Sequence, residues 1–134
     1  MTDLDLRPVG VVRSTLTDPS AAPRQGGEGA PDARIEVDPD LAPALDGLRP
    51  GDRVLVVTWL HRARRDVLAV HPRDEADRPL TGVFATRSAD RPNPLGIHPV
   101  TVRAVHGTTL VVGPLEAVDG TPVVDLKPEL KPGD

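Results

Sequence analysis

The sequence contains no cysteine, which excludes disulfides, thiol nucleophiles and zinc–thiolate sites together. Aromatic residues are almost as scarce: Trp59 and Phe84 stand alone, and there is no tyrosine. Stacking platforms for nucleobases are therefore few, and the core must be filled by valine and leucine. No apolar run approaches the ~20 residues of a membrane span. The opening MTDLDLRPVG has neither the basic nor the apolar region of a secretory leader. The expectation is a cytoplasmic protein with no membrane partner. Positive charge is also in short supply, with 16 Lys+Arg against 20 Asp+Glu and a net charge of −4. A general nucleic-acid coat would be basic, so nonspecific RNA binding is disfavoured, while a small local patch stays open. Metal hydrolysis is a weak competitor, because His61, His71, His98 and His106 form no i, i+4 pair and HExxH is absent. No serine sits in a nucleophile elbow, and no strand is followed by GxGxxG.

What is present is a succession of short apolar segments punctuated by turns. The 134 residues suit a single domain, 1–134, with a loosely ordered tail over 127–134. Leu4 to Ser14 reads as a first strand, with Pro8 marking an edge or strand start. Thr15 to Asp32 is rich in Pro, Gly and Ala without periodicity, a composition that favours disorder. Arg34 to Val37 alternates as a strand. Asp38 can cap a short helix, with Pro39 in its first turn and Leu41, Leu45 and Leu48 facing the core. The run VLVVTWL within Arg53 to Leu60 predicts a buried central strand. Val67 to His71, Thr101–Val105, Thr109–Val112 and Thr121 to Leu126 add further strands, and His106-Gly107-Thr108 and Asp119-Gly120 add turns. The predicted fold is all-β: a small coiled-sheet barrel of about seven or eight short strands with one short helix, not a Rossmann fold.

The most unusual stretch is GVFATRSADRPNPLGIHPVTV, Gly82 to Val102. Two apolar segments predicted as extended, Gly82–Thr86 and Ile97–Val105, flank a loop carrying Arg87, Ser88, Asp90, Arg91 and Asn93. Pro92 and Pro94 hold the residues before them near the extended region, and Gly96 is expected to let the chain turn. The loop is either a preorganised polar site or a stiff turn whose arginines pair with local carboxylates.

This stretch resembles the signature of the TsaA-like family, also called TrmO or YaeB-like. Supporting segments stand in the same order along the chain: Val9-Gly10-Val11-Val12-Arg13-Ser14, Pro23-Arg24-Gln25, Trp59-Leu60-His61 and Asp119 to Pro128. The resemblance implies a small barrel that binds S-adenosyl-L-methionine without a Rossmann fold, and an N-methyltransferase acting on threonylcarbamoyl-adenosine in tRNA. It also implies a homodimer with the site near the interface. The chain departs from the pattern at Glu129, where an aromatic is common, and at His98-Pro99, where small residues are common.

Carried over by motif, the cofactor-binding candidates are Pro23, Arg24, Gln25, His61, Arg62, Arg87, Ile97, Asp119, Gly120 and Thr121, and the Pro23-Arg24-Gln25 match implies that Thr15 to Asp32 is a cofactor-contacting loop that orders on binding. Arg24 and Arg87 suit a carboxylate, since a guanidinium can bind both oxygens at once. Arg91 and Asn93 are substrate-binding candidates. Asp125, Asp90 and His61 are the available proton acceptors, and Asp125 and Lys127, two apart on an extended segment, share a face. Asp125, Asp90 and Lys127 are the catalytic candidates. No metal is expected. Two alternatives stand beside tRNA methylation: a methyltransferase of the same fold with a small-molecule acceptor, and a non-catalytic S-adenosyl-L-methionine-binding module.

Overall fold

The computed structural model describes residues 3–132. Eight strands are found there: β1 (Gly10–Arg13), β2 (Ala33–Val37), β3 (Arg53–Trp59), β4 (Ala69–Val70), β5 (Thr81–Gly82), β6 (Leu95–His106), β7 (Thr109–Gly113) and β8 (Pro122–Pro128). Six of them close into a barrel in the order β1-β2-β7-β6-β3-β8, and β4 and β5 form a separate two-stranded ribbon. Every pairing is antiparallel. The predicted all-β barrel, distinct from a Rossmann fold, is thus what the chain forms.

Closure removes the exposed edges that a short-stranded sheet would otherwise present. The interior is mostly valine: Val12, Val54, Val56, Val100, Val102, Val112 and Val123 are buried with Ile35, Leu110 and Leu115. Burying each such side chain stabilises the fold by about 1.5–3 kcal/mol. The apolar run of β3 conceals a period of two. Val54, Val56 and Thr58 point inward, while Leu55, Val57 and Trp59 are half-buried on the outer face. The strand lies between β6 and β8 as a central strand should, but it is buried on one face only.

The single helix longer than one turn is the 3-10 segment Pro39–Leu45, among the described residues. Asp38 caps it by accepting from the Asp40 amide. Leu45 is buried, with Leu41 and Leu48 packed against the core. Pro43 within it withholds an amide hydrogen, consistent with a short, tight helix.

Several sequence expectations need correction. The first strand begins at Gly10, not Leu4, and Leu4 and Leu6 are exposed. The segment predicted as extended at Gly82–Thr86 contributes a single strand residue, Gly82 at the end of β5, before the 3-10 turn Val83–Ala85, which leaves Phe84 85% exposed. Gly96 is not a turn residue: it lies inside β6. β8 runs through Lys127 and Pro128, and Glu129 continues the attachment through its amide to the Arg53 carbonyl and its carboxylate to the Arg53 guanidinium, 3.0 Å away. The last two residues of the expected tail lie outside the described residues. No helix among the described residues is long and apolar enough to cross a membrane.

The topology has one consequence for function. Neighbouring strands are antiparallel, so the exits of β1, β3 and β7 lie beside the entries of β2, β6 and β8, as the pairs Arg13↔Arg34 and Trp59↔Leu95 show. The three long connections, 14–32, 60–94 and 114–121, therefore leave the barrel at the same end. The opposite end carries the 38–52 connection and the tight hairpin at Gly107.

Candidate functional site

The first of the three long connections is tied by side chains to each of the other two. In the first, Asp18 accepts from the amide and hydroxyl of Ser20, and these bonds hold its carboxyl below the usual carboxylate range. Arg24 meets Asp74 at 2.5 Å, and Glu28 meets Arg73 at 2.7 Å. The Arg73 hydrogen bond likewise lowers the Glu28 carboxyl. Arg73 and Asp74 both occupy the left-handed region, at φ 55° and 57°, which side-chain-bearing residues seldom adopt. This backbone turn presents the two charges side by side to Glu28 and Arg24. The loop whose composition favours disorder thus makes two ion pairs with the second connection.

The second connection is held mainly by arginines. Arg91 donates to the carbonyls of Val83, Thr86 and Ser88, at 2.7, 3.0 and 2.9 Å. Arg65 donates from Nε to the Pro92 carbonyl at 2.7 Å and from its terminal nitrogen to Asn93 Oδ1 at 3.0 Å. Asp90 Oδ1 accepts from the Arg64 amide at 2.8 Å. Arg64 also pairs with Asp66, which lowers that carboxyl and raises the guanidinium. The loop arginines Arg87 and Arg91 donate to backbone carbonyls and not to the local carboxylates that one of the two alternatives invokes, so the loop is stiff because its own backbone oxygens are bound. Arg87 is exposed and donates once, to the Ile97 carbonyl at 3.0 Å.

In the third connection, Asp119 Oδ1 accepts from the Ser14 amide at 3.1 Å. The amides of Asp119, Gly120 and Thr121 donate to the carbonyls of Leu16, Val12 and Val118. Gly120 takes φ 84°, which favours glycine there. Because those three amides are engaged, what this turn offers a ligand is acceptors. Beside it lies an open hollow of about 380 Å³ lined by Arg13, Ser14, Thr15, Asp32, Ala33, Arg34, Val111 and Asp119. A slightly larger one, about 430 Å³, opens among Pro8, Glu36, Asp38 and Thr108 and contains none of the predicted residues.

The structure gathers most of the predicted residues at the loop end. Pro23, Arg24 and Gln25 are on the first connection, His61, Arg62, Arg87, Asp90, Arg91 and Asn93 on the second, and Asp119 and Gly120 on the third, with Thr121 at its close. Arg62 reaches across to the Thr17 carbonyl at 3.0 Å, joining the first two. Ile97 stands outward on β6, 46% exposed. Asp125 and Lys127 are on the barrel wall, opposite Val57 and Leu55, and contact each other at 3.9 Å. They are not grouped with Asp90, which caps the Arg64 turn.

Two features escaped the sequence reading. One is Arg65, whose partners Pro92 and Asn93 lie 27 and 28 residues downstream and leave no local signal. The other is a buried polar row, Thr58–His98–Glu116, for which strand parity was the available signal: His98 shares the inward parity of Val100 and Val102 in β6.

Residues 11–134 match the family model described as the tRNA-methyltransferase O N-terminal domain. The chain is 43% identical over 130 residues to a "Probable S-adenosyl-L-methionine-binding protein" of Methanothermobacter thermautotrophicus, covering 96% of this chain and 93% of that one. It is 38% identical over 122 residues to an "S-adenosyl-L-methionine-binding protein" of Archaeoglobus fulgidus, covering 91% of this chain and 86% of that one. Among solved structures, TrmO from Pseudomonas aeruginosa superposes with a TM-score of 0.79 at 29% identity, over 100% of this chain and 58% of the other. A second TrmO structure gives 0.79 at 32% identity, over 99% of this chain and 60% of the other. The chain therefore spans about three fifths of the length of these TrmO structures.

Proposed function

The chain belongs to the tRNA-methyltransferase O N-terminal domain family, and from that premise we propose that it is an S-adenosyl-L-methionine-dependent N-methyltransferase acting on threonylcarbamoyl-adenosine in tRNA. The observation that carries this reading is the collection of the motif residues on three connections at one end of a closed barrel. When bound, S-adenosyl-L-methionine supplies an electrophilic methyl group on a sulfonium. The donor set fits such a group. Arg24 and Arg87 provide guanidinium forks for a carboxylate, and the acceptors of the Asp119–Gly120 turn suit the amino and hydroxyl donors of a nucleoside.

The remaining work of the site is positioning, which alone can supply about 7–11 kcal/mol of a barrier. The stiffened Arg87–Gly96 loop serves it, because Arg65 and Arg91 fix its backbone. The acceptor nitrogen must lose a proton. His61 is exposed at the loop end and its ring has no hydrogen-bond partner among the described residues, so it is the best-placed acceptor of the three considered.

A small-molecule acceptor is the second reading, and the charge distribution favours it. Arg62, Arg64, Arg65, Arg91 and Arg103 all make contacts within the chain, which leaves few cations uncommitted for phosphates. The test is methyl transfer from labelled cofactor to bulk tRNA, with and without the threonylcarbamoyl modification. Transfer to modified tRNA alone is expected. Transfer only to a small-molecule extract selects the second reading, and cofactor binding without any transfer leaves a binding module.

A further inference from the structure

At the loop end of the barrel the apolar lining gives way to a single row of polar side chains. His98 Nδ1 lies 2.5 Å from Glu116 Oε1, and His98 Nε2 lies 2.7 Å from Thr58 Oγ1. Thr58 is fully buried, and the side chains of His98 and Glu116 are 5% and 15% exposed. An ionised carboxylate only accepts, so Nδ1 carries the proton toward Glu116. No substrate can reach the Thr58 hydroxyl, so the row is not a nucleophilic triad.

Each member comes from a different part of the chain. Thr58 precedes Trp59 at the exit of β3, His98 follows Ile97 near the entry of β6, and Glu116 is in the third connection. Both ends of the row are covered by a glycine. A Cβ on Gly96 would stand 2.5 Å from Thr58 Oγ1 and 2.6 Å from His98 Nε2. A Cβ on Gly26 would stand 2.8 Å from the Pro114 carbonyl and 3.2 Å from Glu116 Oε2. The backbone of the first connection therefore lies against the Pro114 carbonyl and the Glu116 carboxylate, and the strand backbone at Gly96 lies against Thr58 and His98. Arg24 is two residues before Gly26, and Arg87 is bonded to Ile97, the neighbour of His98. A buried polar row costs desolvation, and its return is one defined arrangement more than net stability.

We propose that Glu116, His98 and Thr58 form a positioning relay that fixes the Arg24–Gly26 loop against the Asn93–Ile97 segment, setting the spacing of Arg24 and Arg87. The relay itself stands on the geometry alone; only its value for binding rests on the cofactor site proposed above.

Glu116→Ala cuts the relay from the loop, while Glu116→Gln keeps an acceptor for the His98 proton. Amide hydrogen exchange by NMR at Glu28 and Ala30, whose amides donate to Gln25 and Gly26, reports the loop directly. In Glu116→Ala these two amides should exchange about tenfold faster or more, with β1 and β7 unchanged, and S-adenosylhomocysteine affinity should fall by about tenfold. Glu116→Gln should recover most of both. Unchanged exchange at Glu28 and Ala30 in a folded Glu116→Ala protein would overturn the relay, even if its melting temperature dropped. Should Glu116→Ala fail to fold, Gly26→Ala lifts the loop from outside the core and should give the same faster exchange and weaker affinity; wild-type values would overturn the proposal. If the wild type binds no S-adenosylhomocysteine, the cofactor reading fails while the exchange rates still decide the relay.

Discussion

The guanidinium of Arg65 lies over the ring of Trp59, 5.1 Å from its centroid. The same guanidinium donates to the Pro92 carbonyl and to Asn93 Oδ1. One side chain thus joins the exit of β3 to the Pro-Asn-Pro segment, whose Pro92 and Asn93 lie 27 and 28 residues beyond Arg65 itself. The planar fork makes both bonds while stacking, which a lysine ammonium cannot do.

Arg65→Lys should therefore loosen the second connection without unfolding the barrel. Losing one bond and most of the stacking amounts to about 1–2 kcal/mol of local stability. The Arg91 amide, which donates to the Arg64 carbonyl at 3.0 Å, is the reporter. Its hydrogen exchange should accelerate, while amides within β2 and β7 keep their rates. Equal acceleration everywhere would mean that Arg65 supports global rather than local structure.

Arg24 and Arg87 differ in what a carboxylate must displace. Arg24 is held by Asp74, which is 82% exposed, and Arg87 by a single carbonyl. Exposed ion pairs contribute about 0–1 kcal/mol. Asp74→Asn should accordingly tighten S-adenosylhomocysteine binding, by no more than about fivefold. Arg87→Lys should weaken it about tenfold to a hundredfold with folding intact. Calorimetry on both variants settles the assignment. Unchanged affinity in Arg87→Lys would place that residue in structure or in acceptor binding.

Much of the barrel was legible because it rests on local signals. Alternation at Ile35 and Val37, the Asp38-Pro39 cap and the Asp119-Gly120 turn are all short-range, and each is found where expected. Motif resemblance located the loop-end residues. What was not legible depends on partners distant in sequence. β3 reads as a continuous apolar run, and only its register against β6 and β8 shows which valines face inward. A glycine between prolines and a strand predicts a turn at Gly96, yet it lies inside β6. Its actual requirement comes from Thr58 and His98, and the first of these is 38 residues upstream.

Gly96→Ala tests that requirement. The added methyl would meet the Thr58 hydroxyl at 2.5 Å and the His98 ring at 2.6 Å, both in buried positions that cannot swing into solvent. Overpacking of this kind costs about 1–3 kcal/mol. The midpoint of chemical denaturation should fall by a corresponding amount. Gly27→Ala, with no neighbour within 4 Å of the added methyl, is the control and should stay near wild type. Equal behaviour of the two variants would remove the steric explanation.

The outer face of the barrel bears on assembly. Val54, Val56, Val100 and Val102 fill the interior and cannot contribute to a subunit interface. The outward pairs Leu55↔Pro99, Val57↔Ile97 and Trp59↔Leu95 make a continuous apolar strip along β3 and β6. Ile97 and Leu95 are 46% and 41% exposed on it. The homodimer that the family resemblance implies would place a second copy on this strip. Ile97→Glu would place a charge where the interface must be dry, while its outward position spares the core. Sedimentation at micromolar concentrations should show the wild type as a dimer and the variant shifted to monomer, with the fold retained by circular dichroism. A wild type that sediments only as a monomer removes the dimer. A variant that stays dimeric moves the interface to another face.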